Sequence, residues 1–253
     1  MSYTIDKTDI LIKAQELRKK LGEDDESPMD IFALALSIDK LTLVKYPMGE
    51  HLSGMCIKSQ NSNIIAINSS MTLGRQRFSL GHELYHLYYD ENMSAICNVA
   101  IGKGLPIEKE ADQFASYFLI PPVSLKRKIQ ELKGSKPSRV LFVDDIVRLE
   151  QYFGVSRQAI LIRLIDDRQI SRIDAESMSR GVINSAARLG FSDELYRCNK
   201  PEKQYGVYGS FIERINKAYE KELISDGKYE EMLLQAFRSD LVYGDEEGGE
   251  VLD

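Results

Sequence analysis

The chain has 253 residues, a length that allows one large domain or two small ones. Its composition, 43% hydrophobic and 28% charged, is that of an ordinary globular protein, and no apolar run approaches the ~20 residues of a transmembrane helix. The net charge of −6 argues against a protein that coats nucleic acid. Three scattered cysteines and an N-terminus without a signal peptide lead us to expect a cytoplasmic location.

The first part of the chain is predicted to form two helices and three short strands. Helical periodicity covers residues 5–21, and Ser27 with Pro28 predicts the N-cap and first turn of a second helix over 28–39. Alternating and apolar segments then predict strands over 41–44, 52–58 and 62–68. We expect these strands to form a meander, one edge of which could pair with an extended peptide.

The sequence His-Glu-Leu-Tyr-His at 82–86 contains two of the three histidines of the chain. On a helix, His82 and His86 lie one turn apart on the same face, so both imidazoles can reach one metal ion. Glu83 lies about 100° round the helix, close enough to act on a water held by that metal. The surrounding helix is heavily apolar, and polar side chains in such a helix need partners, of which a metal is the simplest. Zinc is the predicted metal, because two imidazoles and a carboxylate make a catalytic zinc site.

A third protein ligand has to come from outside this motif. Residues 107–120 predict a helix that stops at two prolines, and Glu108 and Asp112 share one face of it with two alanines. The alanines would allow this helix to approach the first one closely. Glu108 could then reach the metal, while Asp112, one turn on, receives a ring N–H from a ligating histidine. Glu110 points roughly 200° away from Glu108 and is the weaker candidate.

These two segments together resemble the ImmA/IrrE family of bacterial zinc metallo-endopeptidases. The resemblance rests on Arg-x-Arg-Phe-Ser-Leu-Gly-His-Glu-Leu-x-His at 75–86 and on Glu-x-Glu-Ala-Asp-x-Phe-Ala at 108–115, and it covers about residues 5–170. Tyr85 departs from the family, in which that position is usually small. We therefore expect the packing behind the metal to differ in this chain.

The resemblance implies a zincin-like fold, zinc as the cofactor and a narrow protein substrate, typically a helix-turn-helix repressor or an antitoxin. Carried over to this chain, it implies His82 and His86 as ligands, Glu83 as the general base and Glu108 as the third ligand. A group that stabilises the oxyanion is also expected. The sequence does not rank the candidates for it, which are Tyr88, Tyr89, Tyr117 and His51.

The region 138–180 has the outline of a helix-turn-helix, with helices predicted over 143–153 and 157–165. Residues 123–180 contain 12 Lys and Arg against 8 Asp and Glu. This excess is small for a protein that neutralises ~6–10 phosphates, and most of the second helix is apolar. The side chains available for base edges are Arg157, Gln158 and Arg163. We expect the helix pair to brace the protease or bind its substrate, and not to read DNA sequence.

The predicted fold is therefore α+β, a zincin-like metallopeptidase domain with a small antiparallel sheet followed by helical regions. The domains are placed at 1–125, 138–180 and 210–240, the last a helical hairpin followed by a disordered acidic tail at 244–253. Residues 181–209 are interpreted as a loop or linker.

The predicted function is that of a regulatory zinc endopeptidase that cleaves a repressor-like or antitoxin-like protein. Two alternatives stay open. The protein could be a catalytically idle zinc-binding module that titrates a repressor, or the toxin of a toxin–antitoxin pair. The sequence gives neither the substrate nor the oligomeric state.

Overall fold

The structure is a computed structural model that describes residues 5–98, 100–102 and 104–244. Within these residues the predicted α+β class is confirmed, with twelve α-helices around one five-stranded sheet. The helices are α1 (Lys7–Lys20), α2 (Ile31–Leu36), α3 (Leu73–Tyr89), α4 (Pro106–Leu119), α5 (Pro122–Lys133), α6 (Val143–Phe153), α7 (Arg157–Asp166), α8 (Arg172–Met178), α9 (Val182–Arg188), α10 (Ser210–Glu220), α11 (Asp226–Gln235) and α12 (Ser239–Tyr243). The strands are β1 (Leu41–Tyr46), β2 (Leu52–Ile57), β3 (Asn63–Asn68), β4 (Ser94–Asn98) and β5 (Gly206–Gly209).

The beginning of α2 differs from the prediction. Asp30, and not Ser27, is the N-cap, because its carboxylate accepts hydrogen bonds from the backbone N–H groups of Phe32 and Ala33. The backbone N–H of Ser27 instead donates to Asp24 in the preceding loop. The second helix is consequently shorter than predicted and starts three residues later.

The strands are ordered β4-β2-β3-β1-β5 in the sheet, so the predicted meander is wrong. β1 pairs in parallel with β3, while the three other strand pairs are antiparallel.

Asn68 is fully buried at the end of β3 and stabilises the connection between β1 and β2. Its side-chain amide donates to the carbonyl oxygens of Gly49 and Leu52, and its oxygen accepts from the N–H of Met48. The β1–β2 connection is thereby held against the end of the strand that separates them.

Helices α3 and α4 pack closely against each other, as the alanines of α4 predicted. Ala111 and Ala115 are fully buried, and a Cβ atom at Gly81 of α3 would lie only 3.4 Å from the Cβ atom of Ala115. Small side chains on both helices therefore allow the two backbones to approach. This contact brings the acidic start of α4 to the face of α3 that carries the histidines.

Two segments contain helices or a strand that the sequence analysis did not predict. Pro122 does not only follow α4 but is also the first residue of α5, a position where proline is well tolerated. The predicted linker 181–209 is wrong, since it contains α9 and β5. β5 adds to β1 at one edge of the sheet, and Val207 of β5 contributes to a small second core with Ile215 and Leu233.

The predicted helix pair α6–α7 is present, and Ser156, the N-cap of α7, accepts a hydrogen bond from the N–H of Ala159. The division of the chain into three domains stays a prediction. Apart from Gly244, the predicted disordered tail at 244–253 lies outside the described residues. Within the described part of the chain, no helix combines the length and apolar character needed to cross a membrane.

Candidate metal centre

Four potential metal ligands from three elements converge at one point between α3, α4 and the sheet. His82 and His86 come from α3, Glu108 from α4 and Cys97 from β4, and their ligand atoms all lie within 4.8 Å of one another. The two Nε2 atoms of the histidines are 3.2 Å apart. The carboxylate of Glu108 lies 3.3 Å from Nε2 of His82 and 3.5 Å from Nε2 of His86. The three side chains predicted as zinc ligands are therefore brought together.

The other ring nitrogen of each histidine is held by a carboxylate. Nδ1 of His82 lies 2.8 Å from Asp112, and Nδ1 of His86 lies 2.8 Å from Asp90. A carboxylate can only accept, so each Nδ1 carries a proton, and a ring that is protonated only there directs the lone pair of Nε2 towards the centre. Two lone pairs and the Glu108 carboxylate would then face one another across about 3 Å. Such a cluster of acceptors requires a cation, and the donor set fits zinc.

The pKa values of His82 and Glu108 also indicate that the cluster favours a positive charge. Burial lowers the pKa of His82, but hydrogen bonds with Asp112, Cys97 and Glu108 outweigh it and hold this pKa well above its usual value. Burial also raises the pKa of Glu108, but the hydrogen bond with His82 and the two nearby imidazoles bring it below its usual value. A proton on His82 thus balances the carboxylates, and a metal ion that takes its place would release it.

His86 differs from His82, because burial lowers its pKa and the hydrogen bond with Asp90 opposes this only in part. The ring of His86 is therefore neutral near pH 7, which is the state that a metal ion needs. Asp90 is a site residue that the sequence analysis missed. Its signal was available, since it follows His86 by four residues and α3 ends immediately before it.

Glu83, predicted as the general base, is fully buried on α3. One of its carboxylate oxygens, Oε2, accepts a hydrogen bond from the thiol of Cys97 at 3.5 Å. The other, Oε1, has no hydrogen-bond partner among the described residues. Burial and the nearby Glu108 and Asp112 raise the pKa of Glu83 to about 7, although His82 and Cys97 oppose them. A carboxylate with this pKa is well suited to exchange protons at neutral pH.

The backbone of β2 shapes the pocket around Glu83. A Cβ atom at Gly54 would lie 2.7 Å from Oε1 of Glu83 and 2.9 Å from the carbonyl oxygen of Ala66. Both distances are shorter than a carbon–oxygen contact allows, so only glycine permits this approach between strand and helix. The glycine in the middle of β2 is therefore part of the candidate site.

Glu110, the alternative third ligand, lies outside the cluster. Its carboxylate accepts a hydrogen bond of 2.6 Å from the hydroxyl of Tyr85, the residue that departs from the family pattern. The ring of Tyr85 is buried and packs at a tilt against both Phe114 and Tyr89. The bulky side chain thus packs beside the motif and binds Glu110, the acid of α4 that lies outside the four-residue cluster.

The candidates for oxyanion stabilisation are spread over other parts of the molecule. Tyr89 donates to the carbonyl oxygen of Lys13, and Tyr88 packs against the ammonium group of Lys20. The remaining two are Tyr117, which packs against Arg163, and His51, which is exposed in the turn before β2. None of these contacts places the side chain at the histidine cluster.

Cys97 is the second site residue that the sequence analysis missed. It is fully buried, and burial together with the charges of Glu83 and Glu108 raises the pKa of its thiol. In the sequence it looked like one of three unrelated cysteines, because nothing near it in the chain has ligand spacing. Only the pairing of β4 with β2 brings it to the histidines.

The fold and the site together define a metallopeptidase-like protein, with a HExxH helix, a downstream acidic helix and a sheet packed on the motif. Residues 41–165 match the model of the Peptidase_M78 family, described as the IrrE N-terminal-like domain. Residues 41–165 thus form a domain of this family, and the match confirms the resemblance stated from the motifs. A search of curated proteins gave no match.

Proposed function

We propose that the protein is a zinc-dependent endopeptidase in which His82, His86 and Glu108 bind the metal and Glu83 is the general base. The observation that carries this proposal is the convergence of two imidazole lone pairs and one carboxylate within about 3.5 Å, beside a buried carboxylate. Such a set fits zinc better than it fits magnesium or calcium, which take oxygen ligands. Membership in a peptidase family supports the reaction class.

Zinc, when bound, supplies a polarised water and a Lewis acid for the scissile carbonyl. Glu83 accepts the proton that the attacking water loses, and its pKa of about 7 lets it return this proton to the leaving amine. Asp112 and Asp90 keep each histidine in one tautomer and one orientation. Gly54 has no Cβ atom and so leaves room for the carboxylate of Glu83.

The proposed substrate is a helix-turn-helix repressor or an antitoxin, as the family resemblance implies. The α6–α7 pair is better suited to support the protease than to read DNA. Arg157 and Arg163, the two cations predicted to face a groove, are buried. Arg157 pairs with Glu150 and donates to the carbonyl oxygen of Met178, while Arg163 donates to carbonyl oxygens of α4. Of the three candidates for base contacts, only Gln158 is exposed.

The test uses the zinc-loaded full chain and a repressor-like protein encoded next to it, with cleavage followed by mass spectrometry. We expect one zinc per chain and cleavage at a defined peptide bond. Glu83→Gln should keep zinc and the fold but abolish cleavage, because an amide does not take up a proton at neutral pH. Cleavage by Glu83→Gln at the wild-type rate would rule out the proposed mechanism and favour a different role for the metal centre.

A further inference from the structure

We propose that Cys97 is a fourth protein ligand of the metal, so that the chain as folded holds a closed, latent metal centre. This inference rests on the proposed metal site and adds its regulation. Three protein ligands and an open position are typical of catalytic zinc, whereas four protein ligands are typical of structural zinc. A sulfur ligand at the fourth position would therefore take the place that a reacting water needs.

The position of Cys97 is fixed by the sheet. β4 is the edge strand beside β2, and Cys97 is in register with Gly54, the residue whose backbone lies against Glu83. The register between the two strands shifts between Leu52 and Gly54. Irregularities of this kind re-aim side chains near functional sites. Here the shift coincides with the residue that faces the histidine cluster.

The chemistry of the four side chains suits one metal ion. Two imidazole nitrogens, one carboxylate oxygen and one sulfur lie within 4.8 Å of one another, and thiolates and imidazoles are preferred ligands of zinc. The thiol of Cys97 donates a hydrogen bond to Oε2 of Glu83, which places the sulfur beside the proposed general base. Metal binding would remove this proton, and the sulfur would still lie next to the oxygen with which the base would otherwise hold a water. The sulfur thus stands between the base and the ligands.

The position of β4 also bears on substrate access. An extended substrate that paired with β2 would need the edge that β4 fills. A displacement of β4 away from β2 would therefore have two effects at once. It would expose the edge of β2 and release Cys97 from the metal.

Cobalt substitution separates this inference from the proposed metal site. Co²⁺ reports its ligands by absorption, since a bound thiolate adds a charge-transfer band in the near ultraviolet to the visible bands of the ion. We expect the wild-type chain to bind one Co²⁺ and to show this band. Cys97→Ser should bind Co²⁺ without the band, and Cys56→Ser, which changes a buried cysteine of β2 outside the cluster, should retain it.

Each outcome bears on one of the two proposals. Visible cobalt bands in the wild-type chain without the thiolate band would overturn the role of Cys97 and leave the metal site intact. Failure of the wild-type chain to bind Co²⁺ or Zn²⁺ would overturn the metal site itself. If Cys97→Ser does not fold, the wild-type spectrum still decides the question.

Two further measurements test latency. Cys97→Ser removes a residue that binds the metal directly. Zinc binding, measured by competition with a chelator, should therefore weaken by at least 10- to 100-fold, the typical cost of losing a residue that only hydrogen-bonds to a metal ligand. At full zinc loading, Cys97→Ser should cleave the repressor-like protein faster than the wild-type chain, and Cys56→Ser should cleave it at the wild-type rate. Equal rates for Cys97→Ser and the wild-type chain would contradict a latent site.

Discussion

Asp90, the first residue after α3, lies 2.8 Å from Nδ1 of His86 and determines which nitrogen of that ring faces the metal site. Its carboxylate also accepts from the backbone and side chain of Asn92, and its pKa is lowered by these bonds and by His86, although burial opposes the shift. The same carboxylate thus orients the end of the motif helix and His86, the second of the proposed metal ligands.

Asp90→Asn should weaken zinc binding about 10- to 100-fold, because the amide is a poorer acceptor for the Nδ1–H of His86. Chelator competition measures the effect. Asp25→Asn makes the same chemical change at an exposed position and should leave the affinity unchanged. Equal affinities for the two variants would show that Asp90 does not support His86.

Glu108→Gln should lose most of the bound zinc, because a neutral amide cannot balance the metal charge as the carboxylate does. Glu110→Gln is the matched control on the same helix, since Glu110 binds Tyr85 and lies outside the cluster. Metal analysis after dialysis compares the two. Zinc lost from Glu110→Gln but kept by Glu108→Gln would reverse our assignment of the third ligand.

Gly54→Ala should reduce cleavage severely while leaving zinc bound. The added Cβ would meet Oε1 of Glu83 at 2.7 Å and the backbone of Ala66 at 2.9 Å, so the base or the strand has to shift. The measurement is kcat together with zinc content. Gly227→Ala is the control, because no atom lies within 4 Å of a Cβ at that position. A normal kcat for Gly54→Ala would mean that the position of Glu83 tolerates displacement.

Arg157→Met should destabilise the fold by about 3–5 kcal/mol, because it leaves the buried carboxylate of Glu150 without its partner. Urea unfolding measures the loss, and Arg148→Met, at an exposed position of α6, should cost little. A loss below about 1 kcal/mol would indicate that the Arg157–Glu150 pair contributes little to stability.

The same variant has a predictable pH dependence. Burial already raises the pKa of Glu150, and Arg157 opposes this shift more strongly than the hydrogen bond with Tyr196 does. Without Arg157 the folded-state pKa rises further above the unfolded value of about 4.3, so the folded state binds the proton more tightly. The deficit of Arg157→Met relative to the wild-type chain should therefore grow as pH rises through the folded-state pKa and shrink as pH falls towards 4.3. A deficit that is constant between pH 5 and 8 would contradict this account.

The motif helix and the helix that carries Glu108 could be predicted because their information is local. The spacing of His82 and His86, the acidic and alanine positions of α4 and the two prolines after it all act within a few turns. Asp90 also had a local signal, four residues after His86. These parts of the site depend on helix geometry alone.

The remaining parts depend on which strands pair, and short apolar strands do not encode their partners. Cys97 reaches the cluster only through the register of β4 against β2, and the connection from β1 to β2 is held by Asn68, which lies at the end of β3 between them. Likewise, Arg157 and Arg163 looked like surface cations in the sequence. Their burial becomes visible only once the carbonyl oxygens and the carboxylate around them are known.

The pairing of β5 with β1 has a consequence for the synthesis of the protein. β1 is made early, but the strand that completes its outer edge belongs to the last quarter of the chain. Until the ribosome has delivered residues 206–209, the backbone groups on that side of β1 have no strand to pair with and are open to other chains. The sheet beside the candidate metal centre therefore becomes complete only late in synthesis. A chain released by a ribosome that stalls before β5 would expose the unpaired edge of β1 and be prone to aggregate.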